Sequence, residues 1–151
     1  MKKSLIISCL FILFNFLFSE QMIVVGEVFT ATWWPYCPTA RAGLYDMMNN
    51  LKNFVPIIWE SDGHYSPHHD ERYAMYNVNG IPHAAFQGQE MIVGGLSGGS
   101  MYSYYLPVYN QFIDDNSSIY MDVTMPTNSS GGVDIEVDVV MTGNVSSPNN
   151  K

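Results

Sequence analysis

Between Met22 and about Asp115 the hydrophobic pattern keeps changing period, and that alternation restricts the fold of this chain more than any other feature. "MIVVGEVFTAT" (Met22–Thr32) is rich in Val and Thr and reads as one or two strands. Pro35 and Pro38 follow, and proline is tolerated only near a helix start. Beyond them Ala40, Leu44, Met47, Met48 and Leu51 recur at helical spacing, with Arg41, Asp46, Asn50 and Lys52 facing away. "VPIIWE" (Val55–Glu60) is a short apolar strand, and Pro67 with Asp70 and Glu71 marks a second helix start. "HAAFQG" and "EMIVGG" predict two strands split by a tight turn. Tyr102, Tyr105, Leu106, Tyr109, Phe112 and Ile113 predict a last helix, with the tyrosines at 102, 104, 105 and 109 in the core. Pro107 must kink that helix or sit in its first turn, because an interior proline costs about 3 kcal/mol. The order β-α-β-α-β-β-α implies an α/β domain, a central sheet covered by helices.

After residue 116 the period becomes two. Ile119, Met121, Val123 and Met125 alternate with Tyr120, Asp122 and Thr124, and Val133, Ile135, Val137 and Val139 alternate with Asp134, Glu136 and Asp138. Two half-buried strands joined by a turn-rich loop are expected. A lone hairpin is barely stable in water, so residues 117–151 either pack on the first domain or begin a β-domain that is incomplete at Lys151. The second is favoured, since "SSPNNK" carries no stop of its own.

The first nineteen residues have the pattern of an export signal. Lys2 and Lys3 precede the apolar run Leu5–Phe18, and Ser19 supplies a small residue at a cleavage point. A nearly unbroken apolar run of fourteen residues is short for a bilayer span, which needs about 20, although an uncleaved anchor stays open. Loss of residues 1–19 removes two lysines and no acid, moving the formal charge from −8 to −10. With Arg41, Lys52, Arg72 and Lys151 as the remaining cations, there is no footprint for a phosphate backbone, and nucleic acid is not an expected partner. Any membrane association is expected only through the leader or a larger assembly. Cys9 leaves with the leader, so the exported chain keeps Cys37 alone and forms no internal disulfide.

The residues that bear on chemistry lie in "TATWWPYCPTAR" (Thr30–Arg41), a strand-to-helix junction in the position of a C-x-x-C redox motif. Element order, the motif's position and the later Ile81-Pro82 together resemble the thioredoxin-like superfamily. "FTATWWPYCPTA" further resembles a branch of exported, outer-membrane-related bacterial proteins reading F-T-x-T-W-C-x-Y-C-P, many of which continue into β-sandwich or sorting domains. The resemblance covers Met22 to about Asp115. It implies a thioredoxin-like domain over residues 20–116, a cis peptide before Pro82, and a location that is periplasmic, outer-membrane-associated or secreted.

In that family a tryptophan directly precedes the nucleophilic cysteine and an aromatic stands five positions before it. Trp33 and Phe29 satisfy both rules when position 34 is the nucleophile slot, which makes Trp34 the replacement and Cys37 the resolving thiol. The other register makes Cys37 the nucleophile of a C-P-T-A motif, with Tyr36 in the tryptophan's place and a loop three residues longer. The family's buried aspartate behind the pair corresponds to Val28, and strand alternation points Glu27 to the opposite face. Thiol exchange needs an exposed thiolate at the helix N-terminus, so the first register implies a frame without its nucleophile. What remains is a groove of Trp33, Trp34, Pro35, Tyr36, Ile81, Pro82 and His83, which the resemblance marks as a place for an extended peptide or protein partner. The expected function is a non-redox binding or scaffold domain; the alternative is a thiol-disulfide oxidoreductase acting through Cys37.

Other features carry less. His83 follows the proline and, beside Cys37, would make a thiolate-activating pair, against the simpler reading of a strand-packed histidine. His64, His68, His69, Asp70, Glu71 and Asp62 read as a solvated loop entering a helix rather than as metal ligands. Asp134, Glu136 and Asp138 form an acidic row suited to calcium or to a solvated strand face. "GGLSGG" (Gly94–Gly99) lacks the lysine of a phosphate loop and reads as a flexible connector, so no cofactor is expected.

Overall fold

A computed structural model describes residues 22–63, 66–125 and 133–143; the leader and His64 lie outside them. The chain divides into two compact units, Met22–Asp115 and one that holds the residues from Asn116 onward.

The first unit runs β1 (Val24–Thr30), α1 (Cys37–Asn50), β2 (Phe54–Glu60), α2 (His69–Met75), β3 (His83–Phe86), β4 (Glu90–Val93) and α3 (Tyr102–Phe112). Its four-stranded mixed sheet has the order β2-β1-β3-β4. β1 pairs parallel with β2 and antiparallel with β3, which pairs antiparallel with β4. β1 is Val-rich and covered on both faces, as a central strand must be. β2 lies at an edge, where the missing N–H of Pro56 does least harm. The β3–β4 turn places Gln87 and Gly88 at positive φ, 51° and 67°.

Alternation along β1 separates two cores. Val24, Val28, Ala84 and Phe86 face Ala40, Leu44 and Met47 of α1 and Tyr105, Tyr109 and Phe112 of α3. Phe29 and Ala85 face the other way, against Tyr76, Val78, Trp59 and Tyr73. α1 and α3 approach closely at Gly43, where an added Cβ would lie 2.7 Å from Tyr105 Cε2 and 2.9 Å from Met101 Cβ. Two expected core residues are instead on outer faces, Met48 at 45% and Tyr104 at 54% exposure. Each adjoins a buried neighbour, Met48 just after Met47 and Tyr104 just before Tyr105, on the flank of the inward stripe. Pro107 lies past the first turn of α3, inside the helix.

α2 is only seven residues long and is held mainly by a buried acid beneath it. Glu27 is 2% exposed and accepts hydrogen bonds from Arg72 Nε (2.9 Å) and Nη2 (2.6 Å), Trp59 Nε1 (2.8 Å) and the Tyr76 hydroxyl. Burial alone would raise the Glu27 pKa, but the bonds from Arg72, Tyr76 and Trp59 and the guanidinium charge outweigh it and hold it below the usual range. Burial, then the bond to Glu27 and its charge, push the Tyr76 phenol up to about 12.

In the second unit, β5 (Ile119–Thr124) and β6 (Glu136–Met141) form an antiparallel hairpin. The pairs Ile119/Met141, Met121/Val139 and Val123/Val137 make one face apolar, while Asp122/Asp138 and Thr124/Glu136 lie on the other. The strands were expected to be half-buried; every residue of both is exposed.

Two consequences are measurable by denaturant unfolding. Gly43→Ala should destabilise the first unit by about 1–3 kcal/mol through overpacking against Tyr105. Glu27→Gln should cost about 2 kcal/mol, less than a fully buried pair because the Arg72 side chain keeps 36% exposure.

Candidate functional site

The loop from β1 to α1 is set by its two ends. The Thr32 N–H donates to Asp62 Oδ2 at 2.7 Å, and the Thr32 hydroxyl donates to the same oxygen. At the other end the Cys37 N–H reaches the Trp34 carbonyl at 3.1 Å, opening α1. Between these points Trp33, Trp34 and Tyr36 remain 65%, 39% and 42% exposed, and Pro35 is exposed with them. The rings touch in series, Trp33 to Trp34 at 5.9 Å and 74°, Trp34 to Tyr36 at 6.1 Å and 54°.

Cys37 is fully buried at the first position of α1. Its sulfur accepts the Ala31 N–H at 3.3 Å. Tyr105 lies close enough to sense the thiol: burial first, and Cys37 second, push the phenol's pKa up. A thiol so enclosed cannot attack an external disulfide without local opening.

The Ile81–Pro82 peptide is cis, and Pro82 is buried beside the start of α1. The closeness is legible at Gly95, where an added Cβ would stand 2.4 Å from the Tyr36 carbonyl, 2.9 Å from Thr39 Oγ1 and 3.2 Å from Pro82 Cγ. The Thr39 hydroxyl donates to the Tyr36 carbonyl at 2.8 Å and accepts the Leu96 N–H at 3.0 Å. The Pro82 carbonyl accepts the Gly94 N–H at 2.8 Å. Within the Gly94–Gly99 segment, Gly95 and Leu96 thus pack against the start of α1, while Ser97–Gly99 are exposed.

His83 does not join Cys37. Cross-strand pairing sets it opposite Phe29, on the face turned away from α1, with the two rings edge-to-face at 6.3 Å. It is 4% exposed, and neither ring nitrogen has a hydrogen-bond partner among the described residues. Burial lowers its pKa. Val28 and Glu27 also fall on opposite faces, Val28 in the α1 core and Glu27 under α2.

Trp33 and Ile81 share a cavity of about 360 Å³ whose far wall comes from α2 and its approaches: Ser61, His69, Asp70 and Tyr73, with Gly80 beside Ile81. His69 is 4% exposed, its Nδ1 3.0 Å from Asp70 Oδ1 and its Nε2 3.1 Å from Ser61 Oγ. A carboxylate only accepts, so Nδ1 donates to Asp70, while Nε2 and the Ser61 hydroxyl share the second bond. His68 turns outward to Glu71 at 3.2 Å, so the adjacent histidines diverge. Among the described residues no three His, Cys, Asp or Glu side chains converge as for a metal ion. A second cavity of about 310 Å³ borders Glu27, Trp59, Arg72 and Met75. The structure therefore joins Trp33 with Ile81, and Tyr36 with Pro82, while leaving His83 outside; the α2 wall has no signature in the sequence.

No family model matches the chain, and no curated protein does. Among solved structures the chain is similar to HBP35 of Porphyromonas gingivalis, with 19% identity and a TM-score of 0.55. The likeness covers 71% of this chain and 38% of that one, and at this identity it is a likeness of fold. Among the described residues no helix is long and apolar enough to cross a membrane.

The state of His83 predicts a pH response. Its folded pKa lies below the unfolded value of about 6.5, so the unfolded chain takes up the proton first and stability falls as pH drops from that value toward the folded pKa. The slope from this residue is at most about 1.4 kcal/mol per pH unit, and His83→Leu should remove it in chemical unfolding measured across pH 7 to 5.

Proposed function

We propose that residues 22–115 form a thioredoxin-like domain whose redox pair is degenerate, and that the protein is an exported binding or scaffold module. The element order, the sheet order β2-β1-β3-β4, the cis-proline beside the α1 N-terminus and the likeness to HBP35 support the fold reading. The pattern of residues 1–19 supports export, to a periplasmic, outer-membrane-associated or secreted location.

One observation carries the functional reading: the thiol is enclosed and the aromatics are exposed. Cys37 is 0% exposed, while Trp34, in the slot of the missing nucleophile, is 39% exposed between Trp33 and Tyr36. Exchange chemistry needs the reverse, an accessible thiolate at the helix start. Exposed, adjoining aromatic rings beside a groove suit recognition, since Trp and Tyr dominate binding hot spots. An extended peptide lying past Ile81–Pro82 would meet Trp33 on one side and Tyr36 on the other.

Reduction of insulin disulfides tests this, with the natural chain run beside Trp34→Cys. The natural chain should be silent, and the variant should turn over if the frame is otherwise intact. The Cys37 thiol should also react with a colorimetric disulfide more than about tenfold slower in the folded chain than after unfolding. Insulin reduction by the natural chain would return Cys37 to the role of nucleophile and overturn the binding reading.

A further inference from the structure

The cavity between Trp33 and α2 has a one-sided electrostatic character. Among the described residues that line it, Asp70 is the one acid, and neither Lys nor Arg is present. The Asp70 side chain is 95% exposed even though one oxygen takes the proton of His69 Nδ1, so its charge is turned to solvent at the cavity mouth. Asp62, adjoining Ser61, adds a second negative charge through its contact with Thr32, next to Trp33. The aromatic surface comes from Trp33, 65% exposed, and Tyr73. The His69 ring bonds to both Asp70 and Ser61, which fixes it in the wall rather than across the opening.

A carboxylate and two aromatic rings lining one cavity are the groups that receive an organic cation. The rings attract it through their negative faces, the carboxylate pairs with it, and a guanidinium satisfies both at once because it is planar. The volume, about 360 Å³, is at the small end for ligand pockets and suits one long side chain rather than a whole small-molecule ligand. Its floor at Gly80 and Ile81 adjoins the cis-proline, so a strand lying along that segment would send alternate side chains toward the cavity. No atom lies within 4 Å of a Cβ built on Gly80, which leaves that side open to a guest.

We propose that this cavity is a specificity pocket for a basic side chain, arginine above all, carried by an extended partner segment. The proposal rests on the groove reading above and adds to it the chemical class of the partner. It also accords with the chain's own balance, fourteen acidic against six basic residues, which favours a cationic partner at long range.

The test is fluorescence anisotropy of four labelled heptapeptides, Ser-Thr-Val-Xaa-Val-Thr-Ser with Arg, Lys, Leu or Glu at the centre, titrated with the full chain. The Arg peptide should bind at least about tenfold tighter than the Leu peptide, with Lys between them, Glu weakest, and the preference shrinking as salt is raised. Asp70→Asn keeps an acceptor for His69 yet removes the charge, and should bring the Arg peptide to the Leu level. Trp33→Leu should weaken the Arg peptide similarly, and circular dichroism should show both exposed-site variants folded. Equal binding of the Arg, Leu and Glu peptides, or an Arg preference that survives Asp70→Asn, overturns the basic pocket and leaves the groove standing. Failure of all four peptides to bind overturns both.

Discussion

Seven residues are too few for a helix to persist on its own in water, and α2 buries little more than His69. What keeps it on the sheet is the carboxylate of Glu27, buried on that face and reached by Arg72 from within the helix and Tyr76 just past its end. Everything on that side follows from this anchor. With α2 fixed, His69 closes onto Ser61, Tyr73 packs edge-to-face on Phe29 at 5.6 Å, and Asp70 stands at the mouth of the cavity beside Trp33. The strand acid next to Val28 is thus the support for one wall of the site.

The opposite face is organised by close approach rather than by charge. Gly43 lets α3 settle on α1, and Gly95 lets the segment after β4 reach the Tyr36 carbonyl and the Pro82 ring. Thr39 then ties the α1 N-terminus to Leu96. The start of α1 is therefore held from several directions, a rigid base for the exposed aromatic loop, and preorganised loops lose less entropy on binding. The same enclosure seals Cys37. The exposure of the aromatic loop, on which the proposed recognition rests, and the burial of the thiol belong to one arrangement.

Local pattern was enough to read much of this. The Val-rich β1, the prolines at 35 and 38 and the period of α1 mark a strand feeding a helix; the assignment of position 34 to a nucleophile slot comes from the resemblance, not from the pattern. What stayed hidden is non-local. The helical period locates an inward stripe but not its edges, hence Met48 and Tyr104. Alternation within β3 does not say which face His83 takes until its register against β1 is known, and that register pairs it with Phe29. Glu27 and Arg72, or Thr39 and Leu96, are joined across long stretches of chain, and no composition of either neighbourhood announces the contact. Glycines near residue 95 read as freedom when their use is proximity.

The enclosure of Cys37 has a consequence for how the molecule comes into being. In the folded unit the sulfur is sheathed, yet the unfolded chain offers it openly, and no second cysteine among the described residues stands ready to pair with it. In oxidising surroundings maturation is then a race between collapse of the α1 core and capture of the thiol by a foreign disulfide. A captured chain would carry an adduct that the packing around Ala31 and Tyr105 has no room to house. In such surroundings, folding that encloses Cys37 before a foreign disulfide reaches it would protect the native state.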